Sequence, residues 1–183
     1  ALRRVGDGVD EESRENEGGG GRERGVRGGG RGGAGWALGG LELDGERAGG
    51  ERGTGVALSS DVSHVAGGHR DLDGCRTRRG HVRVFDWNGT AWTQVGLDLD
   101  GESAGHKSGR HVALSSNGSR VANNARENDG NGSRAGHVRV FDWNVTASTQ
   151  VGLDLDGHNV GDQNGRRVAM SRDASRIAIG AVE

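Results

Sequence analysis

The chain has 183 residues, among them 38 glycines and no proline, and only 31% of its residues are hydrophobic and 3% aromatic. The length is enough for one domain, but the composition is poor in core-forming side chains, so we expect a fold of marginal stability. The net charge of −2 disfavours a nucleic-acid or polybasic membrane surface, no segment has the roughly 20 apolar residues of a membrane span, and the single Cys75 excludes an internal disulfide.

The chain begins with a degenerate Gly/Arg-rich partial repeat, residues 1–52. Its segment 18–35 contains four arginines and resembles an RNA-binding Arg/Gly tract. Residues 1–79, however, hold 13 arginines against 14 acidic residues, so they form no basic field. The segment also keeps the spacing of the repeats that follow. We therefore interpret it as an eroded repeat and keep nucleic-acid binding as an alternative.

A period of 56 residues organises the rest of the chain. The sequence GHVRVFDWN at residues 80–88 recurs at residues 136–144, and TQVGLDLDG at residues 93–101 recurs at residues 149–157. A fixed period of this size is typical of stacked supersecondary units. It divides the chain after residue 52 into a repeat at 53–108, the most intact repeat at 109–164 and a truncated repeat at 165–183.

The most intact repeat is predicted to form four short strands and no helix. They are placed at residues 112–116, from residue 119, at 137–143 and at 149–153, with an Asn117-Gly118 hairpin turn and a polar loop at 126–135. Val138 and Val140 are expected on one face of the third strand, and Phe141 and Trp143 on the other. The fold class is therefore all-β, a β-propeller-like array of four-stranded antiparallel blades in an incomplete ring. A parallel β-helix is the alternative.

The segments GRRVAMS at residues 165–171 and RIAIGA at residues 176–181 resemble the FG-GAP repeats of integrin-α-type β-propellers, in particular the tandem repeats of large uncharacterised algal and bacterial proteins. The resemblance covers residues 35–183 and implies a non-catalytic binding or adhesion scaffold outside the cell or at its surface. The calcium loop of that family, Asp-x-Asx-x-Asp-Gly, is missing. The connections at residues 116–119 and 172–175 are too short and too poor in carboxylates for Ca²⁺.

No catalytic, cofactor-binding or metal-binding residue is predicted. Asp98 and Asp100, like Asp154 and Asp156, are interpreted as solvated carboxylates at strand ends. The histidines lack a second ligand at the spacing of a metal site, His81 and His137 being two copies of one repeat position, and no nucleophile motif is present.

Four glycosylation sequons begin at Asn88, Asn117, Asn131 and Asn144, as would suit an extracellular repeat protein. The expected partner is a protein or glycan, bound through the loop at 126–135. Since the chain starts with Ala1 and stops inside a repeat, we expect a fragment of a longer protein. Because propellers have 4–8 blades, the chain alone should self-associate. A decayed array without a function of its own is a further alternative.

Overall fold

The computed structural model describes residues 2–7, 36–43, 52–69, 78–143 and 147–182, those before residue 55 through their backbone only. Every element in these ranges is a β-strand, and every strand pair is antiparallel. The all-β prediction is therefore confirmed for the described residues. No helix in this part of the chain could span a membrane.

The N-terminal half contains a two-stranded ribbon and a four-stranded sheet. The ribbon pairs β1 (Leu2–Asp7) with β2 (Trp36–Leu43). The first sheet is a meander of β3 (Arg52–Leu58), β4 (His64–His69), β5 (His81–Trp87) and β6 (Trp92–Asp100), hydrogen-bonded in that order.

The C-terminal half contains a second meander and a hairpin. The second sheet comprises β7 (Val112–Leu114), β8 (Arg120–Ala125), β9 (His137–Trp143), β10 (Ser148–Gln150) and β11 (Leu155–Asp156), the last two both paired with β9. The C-terminal hairpin pairs β12 (Arg167–Met170) with β13 (Ile177–Gly180). The bounds of β8 and β9 lie 56 residues after those of β4 and β5.

The outermost strand of the second sheet departs from the prediction. The prediction of a continuous strand at 149–153 is wrong, because β10 ends at Gln150 and pairing with β9 resumes only at Leu155. Between them Gly152 has a φ of 73°, which bends the strand away from β9. The first sheet has the same irregularity at Gly96, whose φ is 66°, although β6 runs through it.

Two apolar layers lie between successive units. One joins the facing sides of the two sheets, and the other joins the second sheet to the C-terminal hairpin. The first consists of Ala66, Val82, Val84 and Leu99 with Val112, Val121 and Phe141, and the second of Ala113, Ala122 and Val138 with Val140, Val168, Met170, Ile177 and Ile179. The second sheet is thus packed on both faces, which a half-polar strand pattern would not allow.

Strand β9 shows how the sequence produces this arrangement. Val138 and Val140 contribute to the layer with the hairpin, whereas Phe141 and Trp143 contribute to the layer with the first sheet. Successive side chains of a strand alternate between its faces, so apolar residues at both parities supply both layers. The predicted faces of this strand are confirmed.

Candidate functional site at the junctions between units

Backbone hydrogen bonds join the hairpin turns of successive units. The amide of Ser60 donates to the carbonyl of Ser116 at 2.8 Å, and the amide of Ser116 donates to the carbonyl of Arg172 at 3.0 Å. The three residues occupy one position of the 56-residue period. The contact between units is therefore made twice with the same atoms.

The opposite edge of the sheets, where the long loops lie, has a matching pair of contacts. The amide of Ser108 donates to the carbonyl of Arg79 at 2.9 Å, and the amide of Asn164 donates to the carbonyl of Ala135 at 2.8 Å. The close approach of the backbone after Ser108 to β5 requires glycine. Gly109 has a φ of 85°, and a Cβ on it would lie 2.5 Å from the carbonyl oxygen of His81.

Each hairpin turn is organised by one acidic or amide side chain. Asp61 accepts from the hydroxyls of Ser59 and Ser63 at 2.6 and 2.7 Å, and these bonds lower its pKa to about 2. Asn117 and Asp173 make the same bonds in the next two turns. The carboxylates thus serve the backbone turn, in place of a cation loop.

A cleft of about 470 Å³ lies between the second and third turns. Within it, Arg120 forms a bidentate salt bridge with Asp142 and donates to the carbonyl of Ala174 at 2.9 Å. The hydrogen bond from Arg120 lowers the pKa of Asp142. Trp143 forms one wall and donates its indole N–H to Gly118 at 2.6 Å. A carboxylate paired with an arginine and an aromatic wall suit hydrogen bonding to a polar ligand better than proton transfer.

The loop at 126–135 is held in one conformation by its own side chains. Asn128, which is buried, accepts from the amide of Gly130 at 2.7 Å, and Asp129 accepts from the amide of Arg134 at 2.7 Å. Lys107 forms a salt bridge with Glu127 at 2.7 Å. Burial alone would raise the pKa of Glu127, but Lys107 outweighs it and the pKa is lowered. The loop is therefore anchored to the preceding unit.

At the long-loop edge of the first sheet, His81 meets the carboxylates of Asp98 and Asp100. His81 is buried, and its Nε2 lies 3.9 Å from Asp98 Oδ2. Arg83 donates to both carboxylate oxygens of Asp98 at 2.8 Å. Burial would raise the pKa of Asp98, yet the hydrogen bonds from Arg83 and Gln94 lower it overall. An arginine therefore neutralises this group.

The equivalent histidine of the second sheet gathers more carboxylates. His137 is only 1% exposed, and its Nδ1 lies 3.3 Å from Asp154 Oδ2, 3.9 Å from Asp156 Oδ1 and 4.0 Å from Glu102 Oε2. Burial, followed by Arg139, lowers the pKa of His137 against the opposing carboxylates. Three carboxylates thus surround a buried imidazole.

Sequence reasoning missed this group because its members come from two repeats. Glu102 follows the last strand of the first sheet, whereas His137 and Asp154 belong to the second unit. Only the stacking of the sheets brings them together. A search for ligand spacing within a repeat could find the Asp154 and Asp156 pair but had no signal for Glu102.

Three of the predicted glycosylation sites lie in the described residues. Asn88, Asn117 and Asn131 are all exposed. Asn88 and Asn117 accept hydrogen bonds within their own turns, and Asn131 donates its Nδ2 to the carbonyl of Gly157 at 2.7 Å. Asn144, Cys75 and the Arg/Gly segment at 18–35 lie outside the described residues.

No protein-family model matches the sequence, and no curated protein matches it either.

Proposed function

We propose that this chain is a non-catalytic binding or adhesion scaffold, a segment of an FG-GAP-like β-propeller. The observation that supports it best is the repeated junction, in which Ser60 contacts Ser116 and Ser116 contacts Arg172 through the same backbone atoms. Four-stranded meanders that pack face to face with one recurring contact are the building principle of a propeller. Its ring would be completed by further units.

The loop at 126–135 is the proposed recognition surface for a protein or glycan. Its exposed tip carries Asp129, Asn131 and Arg134, while the buried Asn128 fixes its base. A polar loop that is already ordered loses less conformational entropy on binding, which favours affinity. The exposed sequons are consistent with an extracellular location. Secretion of the chain from eukaryotic cells, followed by enzymatic deglycosylation and mass spectrometry, would show whether these asparagines carry glycans.

Hydrogen exchange measured by NMR tests the architecture. The amides of Ser60 and Ser116 donate across units, so we expect them to be protected to the same degree as the amides within the sheets. Exchange of these two amides at free-chain rates, with protected sheets, would show that the units do not stack and would remove the main support for a propeller.

Binding is tested with the biotinylated chain on arrays of glycans and of extracellular protein fragments. We expect Arg134→Ala or Asp129→Ala to abolish a signal that the control Asn88→Ala, in a turn at the other edge, retains. Binding to single-stranded RNA with a steep salt dependence, lost on deletion of residues 18–35, would instead favour the nucleic-acid alternative.

The first sheet has an uncovered apolar face that bears on self-association. Val56 and Leu58 are 49% and 51% exposed, whereas Val112, at the position equivalent to Val56, is 8% exposed because it packs on the first sheet. We expect oligomers in size-exclusion chromatography with light scattering. Conversion to monomer by Val56→Thr and Leu58→Thr would identify this face as the contact.

A further inference from the structure

We propose that His137, Glu102, Asp154 and Asp156 form a binding site for a divalent transition-metal ion such as Zn²⁺ at the junction of the two sheets. The inference is independent of the scaffold proposal. It rests on the geometry and charge of these four side chains and on a comparison with the equivalent group in the first sheet.

The geometry fits a small cation. The carboxylate oxygens of Asp154, Asp156 and Glu102 lie 3.3 to 4.0 Å from His137 Nδ1. The ligand atoms of His137, Glu102 and Asp154 are all within 4.8 Å of one another. Tetrahedral ligands that each lie about 2.0–2.2 Å from one zinc ion are about 3.3–3.6 Å from one another, close to the distances seen around His137. Small side-chain movements of the carboxylates of Glu102, Asp154 and Asp156 would close the set.

The charge of the site also favours a cation. Three carboxylates face the buried imidazole, and the nearby cationic group is Arg139. Arg139 donates to the backbone carbonyl of Asp100 at 2.6 Å and lies 3.6 Å from Glu102 Oε1. Asp154 accepts a hydrogen bond from Gln150 at 2.7 Å. The three carboxylates and the guanidinium of Arg139 together carry a net charge of about −2, which one divalent ion would balance.

The first sheet shows what the same residues do when the arginine takes the place of a cation. There Arg83 holds Asp98 through two hydrogen bonds of 2.8 Å. In the second sheet the equivalent Arg139 is turned toward the preceding unit, and Asp154 faces His137 instead. The chain therefore contains one neutralised copy of the group and one copy available to a metal.

The donor types indicate the class of ion. Imidazole nitrogen with carboxylate oxygens suits Zn²⁺ or Co²⁺, whereas Ca²⁺ takes 6–8 oxygen ligands and Mg²⁺ prefers oxygen at octahedral geometry. An ion held by Glu102 on one side and by Asp154 on the other would clamp successive sheets. Its binding should therefore raise the thermal midpoint of the chain.

Isothermal titration of the full chain with Zn²⁺, and absorption spectra with Co²⁺, test the site. We expect one equivalent to bind, with an excess of Ca²⁺ or Mg²⁺ unable to displace it. Glu102→Gln and Asp154→Asn should each weaken this affinity more than about tenfold, since even outer-shell partners contribute 10–100-fold. The matched control Asp98→Asn, in the first sheet, should retain it.

Three results would overturn the proposal: no binding by the chain, binding that Glu102→Gln and Asp154→Asn leave unchanged, or loss of binding in Asp98→Asn alone. Glu102 is largely exposed, so its variant is expected to fold even if Asp154→Asn does not. Long-range ¹H–¹⁵N spectra give a second measurement. Metal on Nδ1 should fix the proton of His137 on Nε2, and a spectrum unchanged by Zn²⁺ would contradict the assignment.

Discussion

The two histidine groups have the same local sequence and different bonding. In the first sheet Arg83 binds Asp98 of its own unit, whereas in the second sheet Arg139 binds the backbone of Asp100 in the preceding unit. Residues 44–46, the counterparts of residues 100–102 one 56-residue period earlier, lie outside the described residues. The comparison shows that two copies of one local sequence form different hydrogen bonds.

The largest expected effect comes from the glycine at each junction. Gly109→Ala should destabilise the chain by about 3 kcal/mol or more, because the positive φ and overlap with the backbone of His81 both oppose a Cβ. Gly165→Ala should cost less. A Cβ on Gly165 would lie 2.8 Å from Asn124 Cβ and 3.0 Å from the carbonyl oxygen of His137, whereas a Cβ on Gly109 would lie 2.5 Å from the carbonyl oxygen of His81. Urea unfolding of both variants measures the difference, and equal losses would contradict this account.

The second prediction concerns two adjacent asparagines that are both fully buried. Asn124 accepts from the amide of His111 at 2.8 Å and donates to the carbonyl of Gly165 at 2.6 Å. Asn124→Ala should therefore cost about 2–3 kcal/mol in free energy of unfolding, because two buried backbone groups lose their partner.

Asn123→Ala is the matched control for that prediction. The side chain of Asn123 has one contact, at 3.4 Å from Ser108 Oγ, and its Nδ2 has no partner. Its removal should cost clearly less in the same urea titration. A larger loss for Asn123→Ala would mean that packing volume, and not the two hydrogen bonds of Asn124, decides stability here.

A smaller gain is expected at the hairpin turn of the first sheet. Val62 has a φ of 61°, where the next turn has Gly118 with a φ of 71°. A β-branched residue is strained in this region, so Val62→Gly should stabilise the chain by roughly 0.5–1 kcal/mol after the entropic cost of glycine. Thermal unfolding measures it.

The reverse exchange, Gly118→Val, should destabilise the second turn. A Cβ there would lie 2.4 Å from the ring of His64, in addition to the strain of the positive φ. If both exchanges leave the thermal midpoint unchanged, the turns differ less than their backbone angles indicate.

The smallest effect is a pH dependence that distinguishes the acidic turns from the amide turn. Hydrogen bonds from serine hydroxyls and a backbone amide lower the pKa of Asp61 and of Asp173 to about 2. A carboxyl group with a lowered folded-state pKa stabilises the chain above its unfolded value of about 4 and loses this contribution as the pH falls to about 2.

The doubly substituted chain Asp61→Asn, Asp173→Asn copies the side chain of Asn117. It should show a smaller loss of stability between pH 4 and pH 2 than the unmodified chain, measured as the urea midpoint at each pH. An unchanged pH profile would assign the acid sensitivity to other carboxylates.

The sequence predicted the parts of the fold that one repeat determines. Alternating apolar residues located β9, and the Asn-Gly pair located the turn between β7 and β8, although only Gly118 has a positive φ and Asn117 acts as a hydrogen-bond acceptor. A glycine inside a strand often marks a bulge, but the same sequence continues as β6 through Gly96 and breaks at Gly152. The local sequence therefore does not decide whether pairing continues between Gln150 and Leu155. The group around His137 was missed because Glu102 reaches it only through stacking.

The hydrogen bonds between turns give the array a direction. Each turn donates its amide to the carbonyl of the turn that follows in the chain, from Ser60 to Ser116 and from Ser116 to Arg172. A further unit can use this contact only in the same orientation. Association through it is therefore heterologous, head to tail, and two copies cannot meet by this bond through the same turn. Growth must either close into a ring or continue as a filament.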